Sequence, residues 1–116
     1  MKVSFSYKKI ISPRMLSAGL TIELIESDSF EINSLASWKG ENFEDAILHG
    51  VKDGLLDIGV SHDQAFRIDV HKIESHPVDS SYKSFYIAAR VAVRSQQLVQ
   101  QLHKEVPSHW EIRRPD

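Results

Sequence analysis

The chain has 116 residues, with 14 Lys plus Arg against 16 Asp plus Glu, six His and no Cys. That length suits one compact domain, large enough to bury roughly two-thirds of its unfolded surface. The missing thiol excludes disulfides, cysteine nucleophiles, iron–sulfur clusters and cysteine-ligated zinc, and an apolar content of 41% is too high for a disordered chain.

A net charge of −2 argues against a strongly basic nucleic-acid binder, because phosphate binding relies on clustered Lys and Arg. The charge is unevenly spread. Residues 23–57 hold nine acids and two bases, residues 67–104 six bases and three acids, and the first fourteen residues four bases and no acid. No run approaches the roughly 20 apolar residues of a membrane span. The alternating N-terminus offers no signal-peptide core, so a cytoplasmic protein without membrane contact is the expectation.

Val3, Phe5 and Tyr7 alternate with Ser4, Ser6 and Lys8, which predicts a half-buried first strand. Ser12-Pro13-Arg14 breaks it, since proline lacks a donor and restrains its predecessor. Leu20, Ile22 and Leu24 predict a second strand, Ser27-Asp28-Ser29 a turn, and Phe30, Ile32 and Leu35 a third strand ending near Trp38-Lys39-Gly40. Both joins between these strands are hairpins by length.

The period then changes. Phe43, Ala46, Ile47, Gly50, Val51, Gly54 and Leu55 recur at spacings of three and four, which places them on one helical face. Asn42 or Glu41 is the expected start. Two glycines four apart on the apolar face predict close backbone approach to a sheet. Ala65–Ile73 returns to alternation, with Phe66, Ile68 and Val70 opposed to Arg67, Asp69 and His71. The crossover through the first helix is long enough to join a parallel pair of strands. His76-Pro77-Val78 is a break, and a helix of some twenty residues is predicted from Ser80 onward. The domain is expected over residues 1–104, with an irregular tail over 105–116.

Candidate chemistry is sparse. Among the histidines, His49 with Asp53, His71 with His76, and His103 with His109 lie close in sequence. None has a ligand spacing with mechanical meaning, so no metal and no cofactor is assigned. His76, Asp79, Ser80 and Ser81 crowd a histidine, an acid and two hydroxyls together. A catalytic triad needs partners oriented across space and an oxyanion hole, whereas Asp-Ser-Ser before a helix supplies a cap for its free N–H groups. The cap reading falls on Asp79, or on Ser80 one residue later. No glycine-rich phosphate loop is present, so no nucleotide and no enzymatic site is expected.

The stretch His76-Pro77-Val78-Asp79-Ser80-Ser81-Tyr82-Lys83-Ser84-Phe85-Tyr86-Ile87-Ala88-Ala89 resembles the fourth domain of the ribosomal translocases, elongation factor G and its eukaryotic counterpart. In that domain a histidine, valine, aspartate and two serines lead into a helix with phenylalanine and paired alanines. Gly40, Phe43, Ala46, Ile47, Gly50, Val51, Gly54 and Leu55 are similar to its preceding helix. The likeness covers residues 18–98 and is strongest over 76–89.

The resemblance implies an α+β fold: a two-layer sandwich of a mixed four-stranded sheet with two helices on one face. It also implies the left-handed β-α-β crossover shared with the second domain of small-subunit ribosomal protein five. In translocases this domain is a rod whose tip loops enter the decoding region beside RNA. By that likeness the tip here comprises Arg14, His76, Asp79, Ser80 and Ser81. The translocases' glycine-rich tip loop is replaced by Ser12-Pro13-Arg14-Met15-Leu16-Ser17-Ala18, and the acid usual after the serine pair is Tyr82, which removes a reciprocal capping box from Asp79. The expected role is a non-enzymatic, translation-related module without a GTPase domain that binds ribosome or RNA. The alternative is a module that kept the scaffold and binds another protein or itself.

Overall fold

The computed structural model describes residues 2–11, 14–38, 40–60, 64–75 and 80–95, with side chains from residue 18 onward. In chain order the elements are β1 (Lys2–Ile11), β2 (Arg14–Ser27), β3 (Glu31–Ser34), α1 (Glu44–Asp57), β4 (Ala65–Glu74) and α2 (Tyr82–Val93). The four strands form one sheet in the order β1-β2-β4-β3. β1 pairs antiparallel with β2, β2 pairs antiparallel with β4, and β3 runs parallel to β4.

The join between β2 and β3 is therefore not a hairpin, contrary to its short length. β4 lies between the two strands, so Asp28, Ser29 and Phe30 step across two strand spacings, roughly 10 Å. β2 also starts at Arg14 rather than near residue 20. Arg14 to Ala18, expected as loop, extend the strand because every one of them faces a residue of β1, from Ile11 to Tyr7.

The core lies on one face of the sheet. Ala18, Leu20, Ile22 and Leu24 of β2 and Phe66, Ile68 and Val70 of β4 are buried there, following the two-residue period of a strand. A bulge at Thr21/Ile22 shifts the β2–β4 register by one residue of β4. It inserts His71 as the extra residue and sets Ile73 opposite Leu20. Ile73 is thereby packed against the core, where an unbroken register would have turned it outward.

Both helices cover this face. α1 buries Ala46, Ile47, Gly50, Val51, Gly54 and Leu55, and α2 buries Ser84, Phe85, Ala88, Ala89, Ala92 and Val93. The glycines do permit close approach, but to α2 and not to the sheet. A Cβ on Gly50 would press on the backbone oxygen of Tyr86 and lie 2.9 Å from Ala89 Cβ, while one on Gly54 would lie 2.9 Å from Arg90 O. Within the core, Phe43 and Phe85 stack at 5.2 Å and Trp38 meets both rings edge-on, at 5.8 and 5.2 Å.

The helix ends are satisfied locally. Glu44 N donates to Asn42 Oδ1 at 2.8 Å, so Asn42 serves the first turn although Phe43 occupies the cap position. α1 ends at Asp57 with Ile58 as its C-cap; Gly59, one residue further on, has a φ of +87° that suits a residue without a Cβ, and Val60 N donates back to Leu55 O. The cap of α2 is Ser81, which corrects the expectation of Asp79 or Ser80. Ser84 N donates to Ser81 Oγ at 3.2 Å and Ser81 N to Ser84 Oγ at 2.8 Å. A reciprocal box is present, but it starts from Ser81, with Ser84 where a Glu or Gln usually stands. α2 spans 12 residues with Arg94 as C-cap, shorter than the twenty expected. The predicted tail over 105–116 lies outside the described residues.

Candidate functional site

Three polar regions stand out, and the topology places each. The first is the end of the sheet where β1 turns into β2. β4 begins to pair with β2 at Gly19, opposite Glu74, whereas β2 starts at Arg14. The hairpin thus runs on past β4 by about 17 Å at about 3.4 Å per residue. β4 ends at this same end, and Ser80 and Ser81 follow it at the start of α2. Arg14, Ser80 and Ser81 are brought to one end of the molecule. His76 and Asp79, the other two predicted tip residues, lie outside the described residues. Ser81 is committed to its cap, and its hydroxyl is structural before it is anything else.

The second region is a ladder between the helices. His49 pairs with Tyr82, Asp53 with Tyr86 and Asp57 with Arg90, each step four residues along both helices, so α1 and α2 run parallel. The Tyr86 hydroxyl donates to Asp53 and accepts from Arg90 Nη1 at 3.1 Å. Arg90 grips Asp57 through both carboxylate oxygens, at 2.6 and 2.9 Å. That grip holds the Asp57 carboxyl below the usual carboxylate range and raises the already high pKa of Arg90. The bond to Asp53 raises Tyr86 because losing the phenolic proton would set two anions together. These groups neutralise one another and clamp the helices at the seam that Gly50 and Gly54 open.

The third region, on the sheet face away from the helices, was not legible from sequence spacing. Glu23 of β2 sits directly opposite Asp69 of β4. The bulge sets His71 beside them, and its Nε2–H donates to Glu23 Oε1 at 2.7 Å. Arg67 binds both oxygens of Asp69, at 3.0 and 3.1 Å, and the pairing raises the pKa of the guanidinium. Asp69 is only 6% exposed, since it lies on a central strand between Glu23 and Asn33. Alternation marks all of these residues as outward-facing. Their meeting depends on the β2–β4 register, which no local pattern encodes.

The chain matches no protein-family profile and no curated protein sequence. Among solved structures it is similar to a crystal structure of a protein from Thermus thermophilus, described only as ttk003000868, with a TM-score of 0.58 and 24% identity. The match covers 78% of this chain and 14% of that one. The two share a fold over that span, and this chain corresponds to a small part of a much longer one. Among the described residues, no helix is long and apolar enough to cross a membrane.

Proposed function

We propose that this chain is a non-enzymatic, cytoplasmic RNA-binding module that contacts the ribosome through the hairpin end of its sheet, in a translation-related role. The observation that carries this reading is the β1–β2 hairpin. It projects beyond β4 with Arg14 at its turn, at the end where α2 begins. Such a projection has no β4 partner, and its paired segments carry Lys8, Lys9 and Arg14 with no acid. The likeness of residues 76–89 to the tip domain of the translocases supports the same end. The reading carries with it a left-handed β3-α1-β4 crossover, an exception to the usual hand.

The chemistry at that end is phosphate contact by few cations. The planar fork of an arginine such as Arg14 suits phosphate, and the start of α2 adds partial positive charge from its N–H groups. Asp79 opposes an anion, so binding is modest and falls with salt. Replacing Arg14 and His76 together with alanine should leave folding within about 0.5 kcal/mol. It should weaken binding to ribosomal subunits at low salt and lower the slope of log affinity against log salt by about 1 for each phosphate no longer engaged. Undiminished binding by the folded double variant, measured by sedimentation, would favour the protein-interaction reading with a surface elsewhere.

A further inference from the structure

We propose that Glu23, Asp69 and His71 form a binding site for a first-row divalent transition-metal ion, of which zinc is the type, on the open face of the sheet. One atom of each residue suited to a metal lies within 4.8 Å of the other two. These side chains stand on two paired strands, so the backbone beneath them is fixed. A tetrahedral ion bound at about 2.0–2.1 Å holds its ligands roughly 3.3 Å apart. Small side-chain rotations therefore close the cluster without moving a strand.

The local chemistry favours a cation. Two carboxylates directly opposite each other in an antiparallel pair repel. Asp69 is matched by Arg67, whose charge Glu23 also feels at longer range, and the direct described partner of Glu23 is the imidazole of His71. The proton between His71 Nε2 and Glu23 Oε1 sits where a metal would sit. A divalent ion displaces that proton and binds both atoms, and Asp69 supplies the third ligand. Arg67 does not block this, because its fork uses one lone pair on each Asp69 oxygen and each oxygen keeps another. It would act as a positioning residue, fixing the carboxylate as outer partners of metal ligands do. One imidazole with two carboxylates suits zinc-class ions better than calcium or magnesium, which prefer oxygen alone. Three protein ligands leave a fourth position for water.

The test is calorimetric titration of zinc chloride into the full chain. The expected result is one saturable equivalent that is weakened at least about tenfold by Glu23→Gln and again by His71→Gln. His49→Gln, which removes a histidine bonded to Tyr82 on the other side of the molecule, should leave it unchanged. Should His71→Gln fail to fold, Glu23→Gln alone carries the comparison, since an exposed-face glutamine keeps the size and hydrogen bonding of the glutamate. No saturable binding up to about 1 mM overturns the proposal. So does zinc binding that survives Glu23→Gln, which would place the ion on other histidines.

Discussion

Gly50→Ala should destabilise the protein by about 3 kcal/mol, although alanine is the better helix former by about 1 kcal/mol. The sign is set by what the added methyl meets. It would press on the backbone oxygen of Tyr86 and stand 2.9 Å from Ala89 Cβ, and neither has a rotamer to yield. The helices must part, and overpacking of this kind costs about 1–3 kcal/mol or more. Parting them also strains the Asp53–Tyr86 and Asp57–Arg90 contacts that bridge the same seam. Against a total stability of about 5–15 kcal/mol, the shift in urea midpoint would be large. A variant as stable as the parent would show that α1 and α2 pack less closely than their geometry indicates.

Phe85→Ala should cost about 4 kcal/mol, the range for removing a fully buried ring and leaving its cavity. Phe85 has no exposed surface. It stacks on Phe43 and receives the edge of Trp38, so its loss strips both neighbours of a partner. Trp38 is tied to the framework beyond the ring cluster, because its Nε1–H donates to Ser34 Oγ, which donates in turn to Glu44 Oε2 at 2.7 Å. The indole should therefore stay in place while water reaches the space beside it, giving a red-shifted tryptophan emission together with the lowered midpoint. Unchanged stability would mean that the cluster is a surface feature and not the closure of the core.

These two sites show what the sequence made legible. The recurrence of Phe43, Ala46, Ile47, Gly50, Val51, Gly54 and Leu55 marks the buried face of α1 residue by residue, since helical periodicity is a local property. The same pattern announces close approach at Gly50 and Gly54 but not its object, which is α2. Alternation likewise separates Phe66, Ile68 and Val70 from Arg67, Asp69 and His71, yet strand order and register are long-range. That is why the insertion of β4 between β2 and β3 has no signature in the short turn at Asp28–Phe30. It is also why Glu23 gave no sign of joining Asp69 and His71. The expected break at Ser12-Pro13-Arg14 falls at the boundary between β1 and β2. What local patterning does not reveal is that β2 resumes at once at Arg14, because that extension is held by pairing with β1. At α2 the cap lies within the expected Asp-Ser-Ser stretch. Its assignment to Ser81 depends on Ser84 three residues on, a partner visible in the sequence but not acidic.

The projecting hairpin makes the ribosome the partner to test first. Tagged protein from its native cells should be sedimented through sucrose gradients at low and at high salt. Co-migration with ribosomal subunits at low salt, abolished as salt rises, is the result that the proposed phosphate contacts predict. Migration in a discrete protein complex away from the subunits at both salt concentrations would contradict it.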